Sequence, residues 1–176
     1  MLYVVGDVMA AVTHLDNIMY VVCHGSSAIR LYNTDTLSPL DVVNDITGMT
    51  DPYDIVVCRH DRQLYVADWD YCIWRVSVDD YSHVKWLNTQ FTVRSLSMTS
   101  RKLLVTSEQP PNVRQYSATN NELLRVVKLP QYMKDVRHAV ETTHGTFVVC
   151  HEGKSQHKKR QYAVSELLRF CHLLRH

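Results

Sequence analysis

One segment of this chain is written four times. "MYVVCHGSSAIRLYN" begins at residue 19, "LYVADWDYCIWRVS" at 64, "LLVTSEQPPNVRQYS" at 103 and "TFVVCHEGKS" at 146. Anchored on the second position of each copy (Tyr20, Tyr65, Leu104 and Phe147), the copies recur after 45, 39 and 43 residues. A repeat restricts the fold strongly, because one unit cannot cover its own apolar faces and must be covered by its neighbour. A period near 40 residues is that of a four-stranded β unit.

Within each unit apolar and polar residues alternate, as they do along a strand whose successive side chains point to opposite faces. The second unit reads as strands at "YDIVVC" (53 to 58), "LYVAD", "CIWRVSV" and "HVKWLN", with polar turns "RHDRQ" and "DDYS". The third repeats that order, and the first carries "AAVTHL", "IMYVVC", "AIRLYN" and "DVVND" in the same places. The expected fold is therefore all-β: antiparallel four-stranded blades of an incomplete β-propeller, with blades at about 9–47, 53–90, 92–129 and 136–166.

The fourth unit departs from the pattern after about residue 153, where "KSQHKKRQ" replaces the turn. Its remainder reads in two ways. "RQYAVSE" (160 to 166) matches a third strand, whereas Val164, Leu167, Leu168, Cys171 and Leu174 are spaced as a helical stripe. A strand to about Glu166, followed by a short helix or frayed tail over the divergent segment 167–176, is the expectation.

Composition narrows the function classes. A formal charge of +1 gives no overall pull toward nucleic acid or an anionic membrane. The first fifteen residues lack a basic leader and carry Asp7, and no run of eighteen apolar residues occurs, so neither secretion nor membrane insertion is expected. Five scattered cysteines without a C-x-x-C spacing fit reduced thiols in the cytoplasm rather than a disulfide framework or a zinc site. With five glycines there is no G-x-G-x-x-G and no G-x-S-x-G, and no catalytic constellation is found.

"LYVAD", followed eight or nine residues later by "IWRVS", "IRLYN" or "VRQYS", resembles the NHL-type repeats of six-bladed, TolB-like β-propellers. The resemblance covers residues 9 to about 153. It implies a binding scaffold for protein or peptide, in the manner of adaptor and ubiquitin-ligase proteins, with single-stranded RNA as the alternative partner. It also admits a remnant of a propeller hydrolase or lyase. Such enzymes hold a metal with residues at inner strand ends; here those places carry Asp51 and Asp54, then Arg94 and Arg137, and the arginines would repel a cation. Six blades need about 250 residues at this period, so the chain is expected to be a fragment unless four blades close on themselves or open blade faces associate.

In this family the loops joining second to third strands lie on one face and carry ligands. That face is expected to present His24 and Ser26, the run Trp69, Asp70 and Tyr71, Glu108 and Asn112, and His151 with Glu152. Exposed Trp and Tyr in such a loop suit a protein contact, because they bring large contact area at low entropic cost. His144, His151, Glu152 and His157 fit no compact ligand spacing, so no metal and no cofactor are expected. Strand arginines (Arg30, Arg75, Arg94, Arg114) are read as solvated edges, and Lys158 to Arg160 as an exposed loop.

Overall fold

The computed structural model describes residues 8–43, 46–107, 109–130, 133–152 and 171–174. The first blade comprises β1 (Met9–Leu15), β2 (Ile18–Cys23), β3 (Ile29–Asn33) and β4 (Pro39–Val43); the second β5 (Pro52–Cys58), β6 (Gln63–Asp68), β7 (Cys72–Ser77) and β8 (His83–Asn88). The third holds β9 (Val93–Thr99), β10 (Lys102–Ser107), β11 (Asn112–Ser117) and β12 (Leu123–Lys128). The fourth has β13 (Lys134–Glu141), β14 (Phe147–Glu152) and β15 (Cys171–Leu174). Each sheet is an antiparallel meander in chain order, with four strands in the first three and, among the described residues, three in the last.

Alternation along the strands sends successive side chains into different cores. On β6, Leu64 and Val66 enter the core shared with the first blade, while Tyr65 and Ala67 enter the core shared with the third. The blades thus bury their faces against one another, as the repeat requires. Three such cores follow in series. Tyr20, Val22, Ile29 and Leu31 meet Ile55, Val57 and Trp74; Tyr65, Ile73 and Trp86 meet Leu96, Leu103 and Tyr116; Leu104 and Val113 meet Val136, Phe147 and Val149. Trp86 sits edge-on to Tyr65 at 5.0 Å and to Tyr116 at 6.1 Å, a favoured aromatic arrangement. The Tyr65 hydroxyl donates across the interface to the Ala118 carbonyl at 2.8 Å. The inner strands β1, β5, β9 and β13 lie side by side in that order, and among the described residues no interface of that size joins β13 back to β1.

The recurring turns use the left-handed backbone. Asp16, Arg62 and Ser100 occupy it between first and second strands, and Leu37, Tyr81 and Asn121 between third and fourth, so one turn geometry serves successive blades.

Two expectations are corrected. Cys171–Leu174 is a strand paired with β14, Cys171 opposite Cys150, not part of a helix. The spacing that suggested a helix also admits a strand, because a segment as short as "CHLL" is compatible with either; the strand expected at 160 to 166 lies outside the described residues. Second, Phe147 faces back toward the third blade, whereas Tyr65 and Leu104 face forward, so the residue equivalent to them in the fourth blade is Val148. A shift of one residue exchanges faces, and alternation in "TFVVC" is too uniform to fix it.

Candidate binding face

The loops after β2, β6 and β10 lie at one end of the blades, with the connections from each outer strand to the next blade. What organises this end is Asp68, the last residue of β6, whose side chain is 1% exposed. Its Oδ1 accepts from the amides of Asp51 at 2.8 Å and Trp69 at 3.0 Å. Its Oδ2 accepts from the Thr50 amide at 3.0 Å and from the Trp74 indole at 3.3 Å. A buried carboxylate survives in such a place only when donors surround it. The result fastens the start of the Trp69 loop to the connection entering β5.

Asp51 extends the tie to the first blade. Its carboxylate accepts from the Gly25 amide at 2.8 Å and meets His24 Nδ1 at 3.1 Å. The Gly25 amide, with help from His24, holds the Asp51 carboxyl below its ordinary range, against a smaller opposing effect of burial. The loops of two blades and their connection therefore form one bonded strip, closed by Trp69 N donating to the Asp51 carbonyl at 3.2 Å.

Upon that strip the next three residues stand out. Trp69 is 60% and Tyr71 53% exposed, with Asp70 exposed between them. Trp69 rests edge-on against Tyr53 at 6.2 Å, and Tyr53 is itself anchored by its hydroxyl to the Val93 carbonyl. Tyr71 adopts a φ of 54° and its carbonyl accepts from the Thr89 amide at 2.6 Å. Two large aromatics are thus held on a fixed backbone without being covered.

The other expected residues divide. His24 is exposed and Ser26 half-buried, where its hydroxyl caps the Ala28 amide at 3.3 Å. Asn112 is 4% exposed and points inward: its Nδ2 donates to the Pro110 carbonyl at 2.9 Å, and its Oδ1 accepts from Ser107 and Arg114. It braces the loop rather than presenting itself, since the first position of β11 is covered by its own hairpin. His151 is likewise buried, on β14, because its position in the alternation is an inward one. Glu152 ends the same strand, and Glu108 lies outside the described residues.

Asp54 does not face a channel cation site. It is half-buried and accepts from the Leu96 amide at 2.6 Å and the Ile55 amide at 2.9 Å, and loss of solvation pushes its carboxyl up to about 6. Among the described residues no three His, Cys, Asp or Glu are placed to hold a metal ion. Arg114 is half-buried with its guanidinium 3.6 Å from the centre of the Phe91 ring, not a solvated edge, and burial lowers its pKa.

Sequence reasoning missed Asp68. The "LYVAD" motif displayed it, but its partners Thr50 and Asp51 lie 18 and 17 residues away, a distance that no local pattern bridges.

Comparison with known proteins agrees on architecture. No family model matches the chain, and no curated protein does. Among solved structures, the computationally designed Ika4 protein superposes with a TM-score of 0.67 at 12% identity, over 86% of this chain and 90% of that one. The WD40 β-propeller domain of Doa1 gives 0.65 at 15% identity over 80% and 47%, and U3-55K gives 0.68 at 12% over 82% and 46%. The chain spans less than half the length of the last two. At these identities the likeness defines a β-propeller fold.

Proposed function

We propose that this chain is a non-enzymatic protein- or peptide-binding propeller module of NHL or TolB-like type, acting in the cytoplasm within an adaptor or ubiquitin-ligase-type protein. The observation that carries the reading is the pair Trp69 and Tyr71, exposed on a backbone that Asp68 and Asp51 hold fixed. Aromatic anchors already ordered before binding lose little entropy on association, which is what a peptide site requires.

Charge pairing favours protein over single-stranded RNA. Arg62 is paired with Asp16 and Asp79, Arg101 with Asp61, and Arg114 is stacked on Phe91, so these arginines are not gathered for a phosphate backbone. The test is a random-peptide display library panned against the folded chain. Selected peptides are expected to lose at least tenfold in affinity for a Trp69→Ala/Tyr71→Ala variant of unchanged melting temperature. Equal binding to that variant, or salt-sensitive retention of an RNA oligonucleotide with no peptide selected, would overturn the reading.

A further inference from the structure

The geometry points to a second site, for a carboxylate, in the cleft between the second and third blades at the end opposite the Trp69 loop, with Arg75 as its anchor. The cleft has a volume of about 390 Å³, and its lining includes Asp61, Gln63, Tyr65, Arg75, Ser77 and Thr119. That is the scale of small-ligand pockets.

Equivalent positions in successive blades show what is unusual. Tyr20, Tyr65 and Leu104 stand opposite Leu31, Arg75 and Gln115 on the third strands. On the inner strand of the following blade, Val57, Met98 and Glu141 occupy matching register positions, opposite Leu64, Leu103 and Phe147. In the first interface Leu31 and Val57 join one apolar core. In the third, Gln115 Nε2 donates to Glu141 Oε2 at 2.8 Å. In the second, the third-strand residue is a cation and its counterpart is a thioether. Arg75, which is half-buried, meets the hydroxyl of its cross-strand neighbour Tyr65 but has no carboxylate partner among the described residues.

A half-buried guanidinium without an anion is costly to keep, and a planar carboxylate matches its two parallel donors. The acids nearby are occupied. Asp61 is ion-paired with Arg101 at 3.0 Å and meets His60 at 3.1 Å, and Asp80 accepts from the Ser82 amide and hydroxyl. The positive charge of Arg75 is therefore left for a ligand, with Gln63, Ser77 and Thr119 supplying polar groups around it. The reading of Arg75 as a solvated edge failed because period 2 gives the alternation but not which face is buried.

The carboxylate has two sources, a free organic acid or the side chain of an acidic peptide, and one titration separates them. The ¹⁵N-labelled protein, including the Arg75 Nε–H signal, is titrated at constant ionic strength with succinate and, separately, with the capped peptide Ac-Ala-Ala-Glu-Ala-Ala-NH2. Saturable shifts at Arg75 and at residues 61–63, 77, 82–84 and 118–119 are expected from at least one probe, and the tighter probe identifies the source. Arg75→Gln should weaken binding at least tenfold. Arg62→Gln, whose guanidinium is engaged outside the cleft, should leave it unchanged. Should Arg75→Gln not fold, Arg75→Lys, which keeps the charge and loses the fork, should bind several-fold more weakly than wild type. No saturation by either probe at tens of millimolar, wild-type affinity in the Arg75 variants, or equal loss in Arg62→Gln overturns the assignment.

Discussion

Replacing Asp68 by alanine should destabilise the protein more than any other single change on the binding face. The carboxylate accepts three backbone amides at 2.8 to 3.0 Å and one indole N–H at 3.3 Å, all with the acceptor inaccessible to water. Bonds to a charged acceptor contribute about 1.5 kcal/mol or more each, but losses within one cluster overlap, and water entering the vacated space satisfies some donors. The expected cost is about 3 to 4 kcal/mol. In a domain of this size that lowers the melting temperature by roughly 6 to 16 °C. Urea unfolding followed by tryptophan fluorescence measures it, with the denaturant slope required to match wild type. Amide exchange at Thr50, Asp51 and Trp69 should accelerate together, because one carboxylate accepts from all three, with Trp69 accelerating least since it also donates to the Asp51 carbonyl. A loss under about 1 kcal/mol, or exchange that quickens at only one of the three, would refute the reasoning.

Tyr65→Asp places a charge in the core between second and third blades and should abolish cooperative unfolding by circular dichroism, whereas Tyr65→Phe, which removes the hydroxyl's bonds to the Ala118 carbonyl and to Arg75, should cost about 1 to 2 kcal/mol. Burial holds the folded Asp54 carboxyl at about 6, so between about pH 4 and 6 the folded state keeps a proton the unfolded chain has released. That contribution stabilises at low pH and is lost as pH rises. The unfolding free energy of wild type relative to Asp54→Asn should therefore fall by about 2 kcal/mol from pH 4 to 7, and a constant difference would show that Asp54 is solvated. Gly48 has a φ of 93° and an added Cβ would meet the Trp74 ring at 3.4 Å, so Gly48→Ala should cost about 1 to 2 kcal/mol in the same urea assay.

The blades were legible because a period near 40 residues and a period of 2 are both written in the chain itself. β6, β7 and β8 begin and end at or within a residue of where "LYVAD", "CIWRVSV" and "HVKWLN" place them. The exposed trio at Trp69, Asp70 and Tyr71 was legible too, as a break in alternation between two strands. What was not legible depends on which face is inward. Asn112, His151 and Arg75 are polar residues that the fold turns inside, and Phe147 is an apolar one turned to the other neighbour. The identity of a side chain does not report its parity along a strand. The Asp68 cluster escaped for a different reason, since it joins the end of one strand to the connection that precedes the whole hairpin.

The most direct test of the binding-face account is an amide chemical-shift map of the ¹⁵N-labelled chain titrated with a peptide selected from the display library. The account predicts that the signals to move are those of residues 24–28, 50–51, 69–71 and 89–92, around the strip that Asp68 and Asp51 fasten. Shifts confined to the opposite end, at residues 59–62, 78–82 and 118–122, with Trp69 and Tyr71 unmoved, would contradict it.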